Sequence, residues 1–199
     1  MIIAVTSAKG GVGKTTTAVH LAAFLQTKGK TLLLDGDDTR NATQWCEQGP
    51  GMPFQVADET RAGNLGEFAH VVIDTGQRLS NLDLRALAER CDLIVIPAVP
   101  ANLDTRGLVL TVESLRQLNI SHYRVLLTKV PPPPETEGEE LRQTLKRLKV
   151  PTFKGQIPRL KAYEKAAGAG VVVSAADDRN AARAWAAYET IGKELKHGK

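Results

Sequence analysis

Lys9-Gly10-Gly11-Val12-Gly13-Lys14-Thr15-Thr16-Thr17 is the stretch on which the reading of this chain turns. Before it, Met1-Ile2-Ile3-Ala4-Val5 is a short unbroken apolar run, the pattern of a central parallel strand. After it, Ala18 to Leu25 continues with helix formers and an apolar face. A glycine-rich turn between strand and helix gathers backbone N–H groups at a helix N-terminus, where the macrodipole favours anions. The stretch therefore reads as a phosphate cradle built from Gly10, Gly11, Val12, Gly13, Lys14, Thr15 and Thr16. In such a loop Lys14 reaches the β and γ phosphates and the Thr15 hydroxyl ligates Mg²⁺.

Strands and helices alternate outward from this point. Thr31-Leu32-Leu33-Leu34-Asp35 is a second short strand after the helix stop Gly29, and it ends in a polar loop running to Thr43. That loop falls at the carboxyl edge of a parallel sheet, where ligands bind. Asp35 and Asp37 face one site there; phosphoryl transfer needs one carboxylate near Mg²⁺ and another near the attacking water. Residues 46–66 are rich in Gly, Pro and polar types, with Phe54-Gln55-Val56 as a short edge strand.

His70-Val71-Val72-Ile73-Asp74 is a third strand of Walker B form, and Asp74 is the candidate Mg²⁺ holder. A helix over Leu82 to Arg90 leads to a fourth strand, Leu93 to Pro97. Asp104, ahead of a helix over Thr105 to Leu118, reads equally as an N-cap or a site residue. Tyr123 to Lys129 is a fifth strand, followed by four prolines at 131–134 and a helix from Glu139 to Leu148. Thr152-Phe153 and Gln156 to Arg159 read as a last strand and its exit loop. A final helix, about Asp178 to Leu195, lines up Ala181, Trp185, Tyr188, Ile191 and Leu195. The fold class is α/β: a single doubly wound, mostly parallel sheet with helices on both faces, spanning 1–199.

A chain of 199 residues is long enough for one self-supporting core. Its two cysteines, Cys46 and Cys91, form no C-x-x-C pair, so neither a disulfide framework nor a zinc site is expected. No signal peptide or membrane-length apolar run is present, which predicts a cytoplasmic protein. A formal charge of +4 permits contact with nucleic acid.

The loop departs from the general G-x-x-x-x-G-K-[ST] pattern by placing Ala8 at the first glycine position and Lys9 next to it. In this it resembles the deviant Walker A motif of the ParA/MinD family of ATPases, in which this lysine crosses a dimer interface to the partner's nucleotide. Asp35, Asp37, Asn41, Ala42 and Thr43 match the family's D-x-D-P-Q-x-N-A-T segment, with Asp38 and Thr39 in place of Pro-Gln. The resemblance implies catalytic roles for Lys9, Lys14 and Asp37, with Asp37 acting on the hydrolytic water and Asp35 supporting the Mg²⁺ shell with Thr15 and Asp74. It places Pro158 and Arg159, in an I-P-R sequence, beside adenine. Thr128-Lys129-Val130 lacks the N-K-x-D signature of guanine-specific GTPases, which favours ATP.

What the resemblance implies is most like a small plasmid-type ParA partition ATPase without a separate N-terminal DNA-binding domain. ATP and Mg²⁺ build a sandwich homodimer, the dimer binds DNA nonspecifically, and a ParB-like or other adaptor stimulates hydrolysis. The cargo is a plasmid, a chromosome or a protein assembly. Lys154, Lys161, Lys165, Arg179 and Arg183 are the DNA-contact candidates. Two alternatives stay open: a MinD-like membrane-associated switch acting through the last helix, and a dethiobiotin-synthetase-like metabolic enzyme.

Overall fold

The computed structural model describes residues 1–58, 64–77, 79–100 and 105–195, so Asp104 lies outside the described residues. Six strands form one sheet: β1 (Ile2–Ser7), β2 (Thr31–Gly36), β3 (Gln55–Asp58), β4 (His70–Gln77), β5 (Leu93–Ala98) and β6 (Tyr123–Leu127). Their spatial order is β3-β2-β4-β1-β5-β6, and every pairing is parallel. The chain moves from β1 to one side of the sheet and from β4 to the other, so the order reverses around β1. A crevice opens beyond the carboxyl ends of the strands at such a reversal.

Side chains alternate across the sheet with period two, and each set meets its own layer of helices. Ile3, Val5, Leu33, Val72, Val95 and Leu126 pack on the layer of α1 (Lys14–Gln26), α2 (Asn41–Glu47), α6 (Ala162–Gly168) and α7 (Ala181–Glu194). Ile94, Ile96, Val125 and Leu127 pack on α3 (Asn81–Arg90), α4 (Thr105–Gln117) and α5 (Glu137–Arg147). Helix α3 starts where Ser80 and Asp83 form a reciprocal capping box, which satisfies two otherwise unpaired N–H groups.

The apolar stripe of α7 is spent inside the fold. Tyr188, Ile191 and Leu195 are all at most 4 % exposed, and Tyr188 Oη lies 3.3 Å from Thr17 Oγ1 on α1. His20 joins the same contact, stacking on Tyr188 with ring centroids 4.6 Å apart. The Val173 N–H points at His20 Nε2 from 3.0 Å, so that nitrogen accepts, and Nδ1 carries the proton towards Thr16 O at 2.6 Å. Burial drives the His20 pKa down to about 4, partly offset by the Thr16 carbonyl, which keeps this tie neutral.

Two expectations need correction. Thr152 to Arg159 is not a strand; it touches the sheet through isolated bridges, Val125 to Thr152 and Val130 to Pro158. Between them the chain is diverted, because Glu194 accepts from the N–H groups of Lys154 and Gly155 at 2.8 and 2.7 Å while Arg142 donates to Phe153 O. In addition, α2 begins within the stretch expected to be a polar loop running to Thr43, and α6 lies where the sequence gives no expectation of an element.

Candidate functional site

The phosphate loop sits between β1 and α1, at the sheet reversal. Gly11 and Gly13 have φ of 72° and 90°, a left-handed conformation that a Cβ disfavours, so glycine at these positions lets the loop wrap tightly. A cleft of about 500 Å³ opens above it, lined by Gly11, Gly13, Lys14, Thr15, Thr16 and Asp37 together with Trp45 of α2. A second cleft of about 600 Å³ adjoins it, walled by Ile157, Pro158, Arg159, Lys161, Tyr163 and Tyr188. Gly13, Thr16, Lys129 and Ala167 line both, so the two are halves of one elongated site. The first is polar at its floor and suits phosphates. The second has an apolar wall suited to a base, and the structure puts Pro158 and Arg159 in it. Arg159 is held there by Glu135 at 2.7 Å.

Asp35 and Asp74 stand side by side in register at the ends of β2 and β4, and both are fully buried. Their surroundings differ. Asp35 Oδ2 accepts from the Thr43 N–H and hydroxyl at 2.8 and 2.7 Å, and Oδ1 accepts from the Asp37 N–H at 3.3 Å. The carboxylate that the resemblance offers to the metal shell is therefore occupied in shaping the loop and the start of α2. Among the described residues neither carboxylate oxygen of Asp74 has a partner at hydrogen-bond distance, although the Thr15 hydroxyl is close enough to favour its ionised form. Burial raises its pKa to about 7; the nearby Thr15 hydroxyl and Lys14 ammonium oppose that rise, and the Asp35 and Asp37 carboxylates add to it. A buried acid left unpartnered beside a threonine hydroxyl and a lysine is a site that a cation would complete.

The residues present fit Mg²⁺ on that observation. Thr15 and Asp74 would hold it, and among the described residues no group of three or more His, Cys, Asp or Glu side chains forms a rival cage. A small hard ion held by one or two protein oxygens, with water and phosphate completing its shell, is the usual arrangement for Mg²⁺.

Asp37, 8 % exposed, lines the phosphate cleft. Burial works to raise its pKa, but hydrogen bonds from the Thr39 N–H and hydroxyl, with Lys14 nearby, outweigh burial and hold it below the ordinary carboxylate value. Those two bonds measure 2.9 and 2.7 Å, and Asn41 Nδ2 and Gln44 Nε2 donate in turn to Thr39 Oγ1 and O. Thr39 thus closes the turn with hydrogen bonds where the family pattern has Pro-Gln.

Lys9 lies elsewhere. Its aliphatic stem rests against Gly107 of α4, and its side chain lines a narrow pocket with Ser7, Val12 and Leu108, outside the phosphate cleft of its own subunit.

Of the basic candidates, Lys161 and Lys165 on or beside α6 and Arg179 and Arg183 around the start of α7 come to one corner, and all are exposed. Lys165 is paired there with Asp178 at 3.0 Å. Lys154 is held at the far end of α7 through Glu194, a helix length of roughly 20 Å away. Thr128, Lys129 and Trp45 also line the site, and nothing in their local sequence signals it.

Residues 3–173 match the family described as the CobQ/CobB/MinD/ParA nucleotide binding domain. The chain is 38 % identical over 201 residues to the maintenance of carboxysome distribution protein A of Gloeobacter kilaueensis, covering 98 % of this chain and 93 % of that one. It is 34 % identical over 113 residues to the protein ParA of Rhizobium radiobacter, covering 52 % and 50 %. Its fold is similar to that of a plasmid partition protein of Borrelia burgdorferi B31 bound to AMPPNP, with a TM-score of 0.77 at 20 % identity and 98 % of each chain covered. A glycine loop in the crevice of a parallel sheet, and similarity over nearly the whole chain, agree: the chain belongs to the CobQ/CobB/MinD/ParA family of nucleotide-binding domains.

Proposed function

We propose that the protein is a positioning ATPase that cycles between an ATP-bound dimer on DNA and free monomers. ATP lies along the two-part cleft, with its phosphates over the loop and its base beside Pro158. Lys14 and the loop N–H groups bind the phosphates. When bound by Thr15 and Asp74, Mg²⁺ supplies charge neutralisation on the phosphate oxygens. Asp37, kept ionised, orients a water whose oxygen bonds to the γ-phosphorus as the bridge to the β-phosphate breaks, leaving ADP and phosphate.

The observation that carries the cycle is the position of Lys9. That Lys9 leans on α4 and does not line its own cleft supports the reading that it serves a second subunit facing it. There it meets the charge that develops on the partner's phosphates, as an arginine finger does. The exposed basic corner of α6 and α7 gives the dimer a doubled, sequence-independent hold on DNA, which localises the ATP form to the nucleoid. An adaptor protein stimulates hydrolysis and releases the dimer. Because the Gloeobacter relative is a carboxysome distribution protein similar over nearly its whole length, a protein assembly is the cargo best supported.

DNA binding measured with ATP, with ADP and without nucleotide across a salt series tests this reading. ATP-specific binding that weakens steeply with salt is the expected result, and binding that ignores nucleotide overturns it. Lys9→Ala abolishes ATP-dependent dimers in light scattering while monomers still bind nucleotide; dimers that persist remove Lys9 from the contact.

A further inference from the structure

Strand β6 ends at Leu127, and both residues that follow turn their side chains back to the phosphate loop. Thr128, 2 % exposed, donates from Oγ1 to Val12 O at 2.7 Å. Lys129 donates from Nζ to Gly11 O at 2.7 Å. The two acceptors are consecutive carbonyls of the loop. Glycines bring no side chains to pack, so hydrogen bonds to its carbonyls are what give such a loop a single shape.

The direction of these bonds matters as much as their number. In a planar trans peptide the C=O and the following N–H point opposite ways. Anchoring Gly11 O to Lys129 and Val12 O to Thr128 therefore also fixes the direction of the Val12 and Gly13 N–H groups, each opposite to its anchored carbonyl. Lys129 holds its bond with φ of 50°, an uncommon conformation for a residue with a side chain, of the kind that persists where surrounding contacts enforce it. It also lines both halves of the cleft, at the seam between the phosphate floor and the base wall.

We propose that Thr128 and Lys129 are positioning residues for phosphate binding: a two-point clamp from the end of β6 that aims the Val12 and Gly13 N–H groups at the phosphates of a nucleoside di- or triphosphate. The proposal rests on the nucleotide-binding reading above. It makes the strand that borders the base half of the cleft also the support of the phosphate half.

Isothermal titration of the full chain with ATP and with ADP, both with Mg²⁺, tests the clamp, using Lys129→Met, Lys129→Arg, Thr128→Val and Thr128→Ser. Lys129 is exposed, so its variants keep the fold and carry the test even if Thr128→Val is poorly folded. Lys129→Met and Thr128→Val each weaken ATP and ADP alike by roughly tenfold, the worth of one well-made hydrogen bond to an anchored group. Lys129→Arg and Thr128→Ser restore binding to within about threefold. In hydrolysis the loss falls on KM, with kcat changed by less than about twofold. The double variant loses less than the product of the two single losses, because both bonds hold one loop. Losses for Lys129→Met that are much larger for ATP than for ADP and shrink with salt, with Thr128→Val silent, would mean that Lys129 acts only as a charge and overturn the clamp. Equal binding by all variants overturns it too. A wild-type chain that binds neither nucleotide overturns the underlying reading instead.

Discussion

The carboxyl end of β2 and the carboxyl end of β4 lie next to each other in the sheet, and each presents a fully buried aspartate in register with the other. At the β2 end three donors, one from Asp37 in the following loop and two from Thr43 in the first turn of α2, close on Asp35. At the β4 end no group among the described residues closes on Asp74 at hydrogen-bond distance, and only the Thr15 hydroxyl and Lys14 ammonium favour its charge from nearby. Two identical side chains at equal depth thus have opposite surroundings. Asp35 is satisfied within the protein and holds the Asp37 loop and the start of α2 in place. Asp74 is left without such hydrogen bonds, which costs stability in the folded protein and is what the proposed cation site would relieve.

The contrast breaks most sharply at Asp74. Asp74→Asn removes the buried charge and the cation donor together, so ATP hydrolysis is expected to fall by roughly 100-fold or more. The same change is expected to raise the stability of the nucleotide-free protein at pH 8, by about 2 kcal/mol, because an uncompensated buried charge is gone. Steady-state phosphate release and urea unfolding on one preparation check both. A variant that loses activity and also loses stability would show that Asp74 is satisfied in the fold after all.

Asp35→Ala is expected to do the reverse. Three donors lose their acceptor, and stability falls by about 3 kcal/mol. Hydrolysis falls as well, through the misplaced Asp37, while phosphate-loop binding of ADP is largely kept. Urea unfolding with ADP titration checks this, and undiminished stability would remove Asp35 from its place as the organiser of the loop.

The difference between the two strand ends was only partly legible in the sequence. The glycine loop, the strands and the acidic strand ends stand out because each is a local pattern of apolar runs broken by chemistry-bearing residues. What Asp35 does is non-local: it bonds Thr43, eight positions on, and so starts a helix whose N-cap, Arg40, offers no capping side chain. Helix α6 likewise has an N-cap, Lys161, that makes no side-chain cap, so neither short helix announces itself. The Thr152 to Arg159 segment misleads in the opposite sense. Phe153 and Ile157 are buried as a strand would bury them, but Glu194 from the far end of the chain takes the intervening N–H groups. The places of Thr128 and Lys129 at the loop depend on contacts more than a hundred residues apart in sequence, which no local pattern encodes.

The smallest effect is a slope with pH, and it separates Asp74 from its neighbours by sign and by window. The folded-state pKa of Asp74 is raised to about 7 from an ordinary value of 3.8. Its stabilising contribution is complete below the unfolded value and is lost as pH rises through about 7. His20 works the other way: its folded pKa near 4 lies below the ordinary 6.5, so the stability it carries grows as pH rises between those values. Burial and the N-terminal ammonium lower His70 in the same direction. Asp37 is lowered, so its contribution is lost only as pH falls below the ordinary carboxylate value, outside this window. The opposing slopes partly cancel in the wild-type protein, and the informative quantity is the urea-unfolding free energy of Asp74→Asn minus that of wild type at each pH. That gap is expected to be near zero at pH 4, to open through pH 5 and 6, and to level off above pH 7. Mg²⁺ with nucleotide at pH 8 is expected to close it by stabilising the wild type alone. A gap that is constant with pH would mean that the carboxylate at the end of β4 is not strained by burial, and that the two strand ends are alike.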